Sequence, residues 1–172
     1  MKIACFLASK ESLGDVFAPV GFSASSVITK KTINSSTPIP VLSIRPNTTF
    51  NGITNRVPVL VNNIDLLSVQ DTVYVKVILN PTTLTGAVFA AVDANSCVQV
   101  DTTATAVSGG TTLTEFYVAG GGKGGLNLAT LVTDLVLGLN IAGTVADVIT
   151  IASAKTAGNS DTLADIQWQE FQ

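Results

Sequence analysis

The 172-residue chain contains no histidine. That absence removes Ser-His-Asp and Cys-His nucleophilic catalysis, and with them the commonest transition-metal ligand. Charge is scarce as well: Asp, Glu, Lys and Arg make up 12% of the residues, against about 25% in an ordinary soluble domain. Nine basic residues face 12 acidic ones for a net charge of −3. No basic stripe exists to displace counterions from phosphates, so direct nucleic-acid binding is set aside. Cys5 and Cys97 are too few for a disulfide framework or a zinc site, and read as reduced, mostly buried thiols. Long apolar runs are missing too. The longest candidate, Leu126 to Ile141, is broken by Asn127, Thr130, Thr133, Asp134 and Asn140, well short of the roughly 18 unbroken apolar residues of a membrane span. The apolar stretch Ile3 to Ala8, with Lys10 and Glu11 close behind, is likewise too short for a secretory leader. The expectation is a soluble protein without a membrane partner.

What is present points one way. Hydrophobic residues make up 47% of the chain but aromatic ones only 6%, and 14 Gly and 6 Pro punctuate it. Val, Ile and Thr are plentiful, and β-branched side chains fit a pleated sheet better than a helix. An all-β protein is expected. A positive mean hydropathy of +0.48 on a lightly charged surface carries a solubility risk for a free monomer, which burial in an assembly would relieve.

Residues 1–45 differ from the remainder. Ser, Thr, Gly and Pro mix with isolated Phe6, Phe17 and Phe22, while Pro38 and Pro40 hold the chain extended. This stretch reads as an extended N-terminal arm contributing one strand at most, and spaced phenylalanines need somewhere to dock. Residues 46–172 read as the folded domain. "DTVYVKVILNP" alternates Val73, Val75, Val77 and Leu79 against Tyr74, Lys76 and Ile78, the period of a half-buried strand. Pro58 inside "NRVPVLVNN" suggests an edge strand or a bulge. Leu113, Glu115 and Tyr117 are expected on one face of the next long strand, with Thr114, Phe116 and Val118 on the other. Leu128, Leu131, Val132, Leu135 and Leu139 form a stripe that suits a short helix or a strand equally. "DVITIASA" and "LADIQWQEF" close the series, with Ile166 and Trp168 together in the core. Short strands with turn signals between them and no βαβ alternation predict a jelly-roll-like antiparallel β-sandwich with at most one short helix.

The chemistry tests are negative. "YVAGGGKGGLNLATL" suggests a phosphate loop around Lys123, but a Walker motif needs Gly where Tyr117 stands and Ser or Thr where Gly124 stands. Gly120, Gly122 and Gly125 meet the dinucleotide spacing, yet no βαβ unit follows. The run reads instead as a pliable connection, with Gly121, Gly122 and Lys123 as candidate subunit contacts. The carboxylates are spread singly, and neither "DANS" nor "NSD" forms a calcium-loop series. No catalytic residue, metal site or cofactor is assigned, and an enzyme is not expected.

With these residues set out, the chain from Pro46 onward resembles small structural proteins of tailed bacteriophages. "NRVPV", "VYVKVILNPTTLTGAVFAAVDANSCVQVDTTATAVSGGTTL", the glycine run, "DVITIASA" and "IQWQEF" carry the likeness. The resemblance implies a domain that trimerises on the outer surface of the virion and binds the major capsid protein or another virion subunit. The expected function is that of a capsid decoration (cement) protein, with a receptor- or glycan-binding appendage head as the alternative. On that reading Phe6, Phe17, Phe22, Lys30 and Lys31 are candidate capsid or subunit contacts. A glycan platform would draw on Tyr74, Tyr117 or Trp168.

Overall fold

The computed structural model describes residues 20–25, 30–127 and 135–172. In chain order the strands are β1 (Val20–Ser25), β2 (Lys31–Ile33), β3 (Ile39–Pro46), β4 (Thr49–Phe50), β5 (Ile53–Thr54), β6 (Val59–Ser68) and β7 (Val73–Leu79). There follow β8 (Thr83–Thr85), β9 (Ala90–Ala91), β10 (Val98–Asp101), β11 (Ala106–Ser108) and β12 (Thr111–Val118). The last are β13 (Lys123–Asn127), β14 (Val136–Leu137), β15 (Ile149–Lys155) and β16 (Ser160–Glu170). No helix occurs among the described residues, and the 128–134 part of the leucine stripe lies outside them.

The expected jelly roll is what forms. β1 pairs with β16, β3 with β15, β6 with β13 and β7 with β12, each pair antiparallel. Among these framework strands the first therefore meets the last, the second the next to last, and so inward, which is a long hairpin folded over on itself. Two sheets result, β1-β16-β6-β13 and β12-β7-β15-β3, the second extended by β10 and β9. Alternation supplies the core between them. On β16, Ala164, Ile166 and Trp168 are buried while Asp165 and Gln167 face outward. On β7, Val73, Val75 and Val77 join Ile149 and Ile151 of the adjacent β15 and Ile64 and Leu66 of the opposite sheet in one apolar cluster. At about 25 cal/mol per Å² of apolar area, such burial dominates the stability of the fold.

Folding the hairpin sends the connections after β3 and β7, and the segment leading into β15, to one end. The connections after β6, β12 and β15 go to the other. The first end carries the long excursions: the β4–β5 ribbon, residues 80–110 and residues 135–148. Asn51 and Gly52, with φ of 50° and 79°, form the tight turn of that ribbon, as the Asn-Gly pair requires. The second end carries the short turns that follow β6, β12 and β15.

Three expectations need correction. The division at 45/46 falls inside the sandwich, because β3 is buried from Pro40 to Ile44 between β15 and β10; Pro40 does not prevent a ladder, as it sits at a register shift. β6 is an inner strand flanked by β16 and β13, and Pro58 precedes its first residue, so no ladder hydrogen bond is lost. Leu113 packs against the core because the register shifts between Thr112 and Thr114, which re-aims it.

Candidate functional site

The glycine run is a turn and a strand. Ala119 to Gly122 form a four-residue reversal closed by a Gly122 N–H bond to Ala119 O at 2.9 Å, with Gly121 at φ 69°. Gly124 and Gly125 lie within β13, where a side chain has no room. A Cβ on Gly124 would lie 2.5 Å from Val118 Cγ2, and one on Gly125 would meet Asp65 Oδ1. Lys123 pairs with Asp65 at 3.2 Å across the β13–β6 ladder, and Asp65 stands directly opposite Asp165 on β16. The lysine thus offsets a like-charge cross-strand pair. Gly121 and Lys123 are exposed and Gly122 is half-buried, all at or beside the short-loop end.

Phe6 and Phe17 lie outside the described residues. Phe22 stacks on Trp168, ring centroids 6.3 Å apart and planes 21° apart, so it docks β1 on the domain. Lys30 pairs with Asp161 at 2.5 Å. Lys31 donates to the carbonyls of Ala104 at 2.6 Å and Thr102 at 3.5 Å, tying β2 to the 80–110 excursion. Both lysines are thus engaged within the domain.

Two buried carboxylates organise the molecule, and neither was legible as such in the sequence. Glu170, fully buried, accepts from Trp168 Nε1 at 2.9 Å, Ser96 Oγ at 2.5 Å, Cys97 N–H at 2.8 Å and Gln172 Nε2 at 2.6 Å. Asp101 accepts from the N–H groups of Val88, Thr103 and Ala104 and from the Thr103 hydroxyl. The one available signal was W-x-E on alternate positions of a strand, which puts both side chains on one face. Burial alone pushes the Glu170 carboxyl up, but donors from Cys97, Ser96 and Trp168 outweigh it and hold the group below its ordinary 4.5. For Asp101, burial is likewise outweighed by Thr103, Val88 and Ala104, and the group sits below its ordinary 3.8. The Cys97 thiol is pushed up to about 12, first by burial and then by Glu170.

These shifts set a pH profile. A carboxylate with a depressed folded pKa stabilises the fold above its unfolded value, and that stabilisation is lost as pH falls through the folded value. A thiol with a raised pKa stabilises below its unfolded value and loses that contribution as pH rises toward the folded one. Thermal melts are therefore expected to plateau between about pH 5 and pH 9 and to fall on both sides. A melting temperature that holds level down to about pH 2 would contradict this assignment.

The long-loop end carries a cleft of about 800 Å³ between Arg45, Asn47, Thr48, Asn80, Pro81, Gln99 and the 139–140 and 144–148 segments. Asn80, at φ 50°, pins two of the loops: its amide donates to Asp147 Oδ1 and accepts from Val148 N–H, both at 2.8 Å. Asn140 Oδ1 accepts from the N–H groups of Thr144 and Val145 and shapes a small hairpin. Arg56 braces the hairpin through the carbonyls of Asn140 and Ile141. Beside the cleft the loop tips are apolar: Ile141 is 98% exposed, Ile53 70% and Val145 62%. On the outer face of the β12-containing sheet, Tyr74 and Tyr117 pair at 5.6 Å next to the Lys76–Glu115 ion pair at 3.5 Å.

No protein-family model matches the chain, and no curated protein matches it. Among the described residues no group of three or more His, Cys, Asp or Glu is placed to hold a metal ion. The arrangement provides contact surface, a polar cleft and an exposed aromatic pair.

Proposed function

We propose that this is a non-enzymatic structural protein of a phage virion, a trimeric decoration protein that binds the outside of the head and stabilises it. The observation that carries the reading is a jelly roll presenting Ile53, Ile141 and Val145 together at its long-loop end. Jelly rolls recur in viral capsid domains, and clustered exposed apolar residues mark protein contacts. The likeness of "VYVKVILNP" and its neighbours to phage structural proteins supports the same reading. Fold alone assigns no function, so the test is binding. Full chain mixed with decoration-free heads is expected to co-sediment at many copies per particle. Ile141→Asp is expected to lower occupancy about tenfold or more, through the lost burial of one isoleucine. Undiminished occupancy would contradict the role of that end, and a version without residues 1–19 reports separately on the N-terminal segment.

A receptor- or glycan-binding appendage head is the second reading, favoured by the Tyr74–Tyr117 pair, in which Tyr117 is 69% exposed. Glycan-array binding lost in Tyr117→Ala would support it.

A further inference from the structure

Arg45 is a half-buried cation that makes no ion pair among the described residues. Its Nε donates to Gln99 Oε1 at 3.0 Å, and its guanidinium lies 4.1 Å from the centre of the Phe89 ring. These two contacts orient the group and leave both terminal nitrogens without a hydrogen bond among the described residues. None of the ion pairs among the described residues includes it. The carboxylate that acts on it, Asp101, already accepts four hydrogen bonds from its own loop. A desolvated cation left unpaired is unfavourable unless something supplies the opposite charge.

We infer that the cleft at the long-loop end binds a saccharide carrying a carboxylate, with Arg45 receiving the carboxylate. A planar guanidinium with two free terminal nitrogens matches a carboxylate bidentately. The cleft, about 800 Å³, has the size of a small-molecule site, whereas an aspartate or glutamate side chain would fill little of it. Its other polar groups suit hydroxyls: the side chains of Asn47 and Thr48 and the Gln99 amide nitrogen hold no hydrogen bond among the described residues. Asp147 also lines the wall, each oxygen accepting one hydrogen bond, from Asn80 and from Gly138 N–H. It can accept further from sugar hydroxyls, and it disfavours a multiply charged phosphate or sulfate. The inference does not depend on the decoration reading, which is tested at Ile141, a loop tip outside the cleft lining, although Val145 belongs to both.

The test is titration of the full chain, followed by NMR, with glucuronic acid and N-acetylneuraminic acid, and with glucose, acetate and a tetra-aspartate peptide as controls. At least one acidic sugar is expected to bind more tightly than glucose and acetate. Arg45→Ala is expected to weaken that binding about tenfold or more, as loss of a charged hydrogen-bond pair implies, and Arg45→Lys to weaken it less. Gln99→Glu, which gives Arg45 an internal partner, is expected to abolish binding while the melting temperature is kept; it covers the case in which Arg45→Ala fails to fold. Acetate or tetra-aspartate binding as tightly as the sugars would overturn the saccharide assignment. Equal binding of glucose, no binding by any probe, or binding unchanged in a folded Gln99→Glu protein would overturn the site.

Discussion

Glu170→Ala is expected to destabilise the protein by about 4 kcal/mol, the sum over two to three buried donors left unsatisfied at roughly 1–3 kcal/mol each. Trp168 Nε1, the Ser96 hydroxyl and the Cys97 N–H all converge on this carboxylate. For a chain of this size the melting temperature should fall by about 10 °C or more. The effect is structural in a specific way: Glu170 closes β16 onto the segment between β9 and β10, so its loss loosens the root of the 80–110 excursion. Glu170→Gln keeps one oxygen and is expected to lose roughly half as much, because its amide NH₂ meets donors where the second oxygen accepted. Urea or thermal unfolding measures both variants. A loss below about 1 kcal/mol for Glu170→Ala would show that water replaces the carboxylate.

Trp168→Ala is expected to lose about 3–5 kcal/mol, the range for deleting a buried Trp or Phe side chain. Trp168 is 1% exposed, donates to Glu170 and stacks on Phe22. Its removal therefore acts on the core, on the carboxylate network and on the docking of β1 at once. β1 should detach first, read as faster proteolysis within residues 20–25 at temperatures where the domain remains folded. Trp168→Phe keeps most of the packing and loses the hydrogen bond, so a smaller loss of about 1–2 kcal/mol is expected. The double variant with Glu170→Ala should be less destabilised than the sum of the two singles, because they share one hydrogen bond. Strict additivity would mean that the two residues act independently.

The parts of this fold legible in sequence are those where one face is wet. β16 alternates cleanly, with Ile166 and Trp168 in the core as expected, and on β7 Val73, Val75 and Val77 share the buried face, because period-2 patterning shows against polar outer residues. The all-β class followed from the same chemistry, from β-branched abundance and turn residues. The N-terminal boundary failed for the opposite reason. β3 is buried on both faces, so "IPVLSI" carries no alternation, and its prolines read as breakers although one lies at a register shift. The glycine run misled because Gly124 and Gly125 answer to Val118 and Asp65, residues distant in sequence or on another strand, rather than to a mobile loop. Glu170 and Asp101 were invisible because a carboxylate's burial depends on N–H groups from other segments. The Arg45 cleft depends on three loops that only the folded hairpin brings to one end.

The central claim concerns assembly, and the most direct measurement is the mass of the purified full chain in solution together with its copy number on intact particles. A trimer that co-purifies with heads at many copies, and restores the heat resistance of stripped heads, is the expected result. A monomer that stays off particles at every concentration would contradict it.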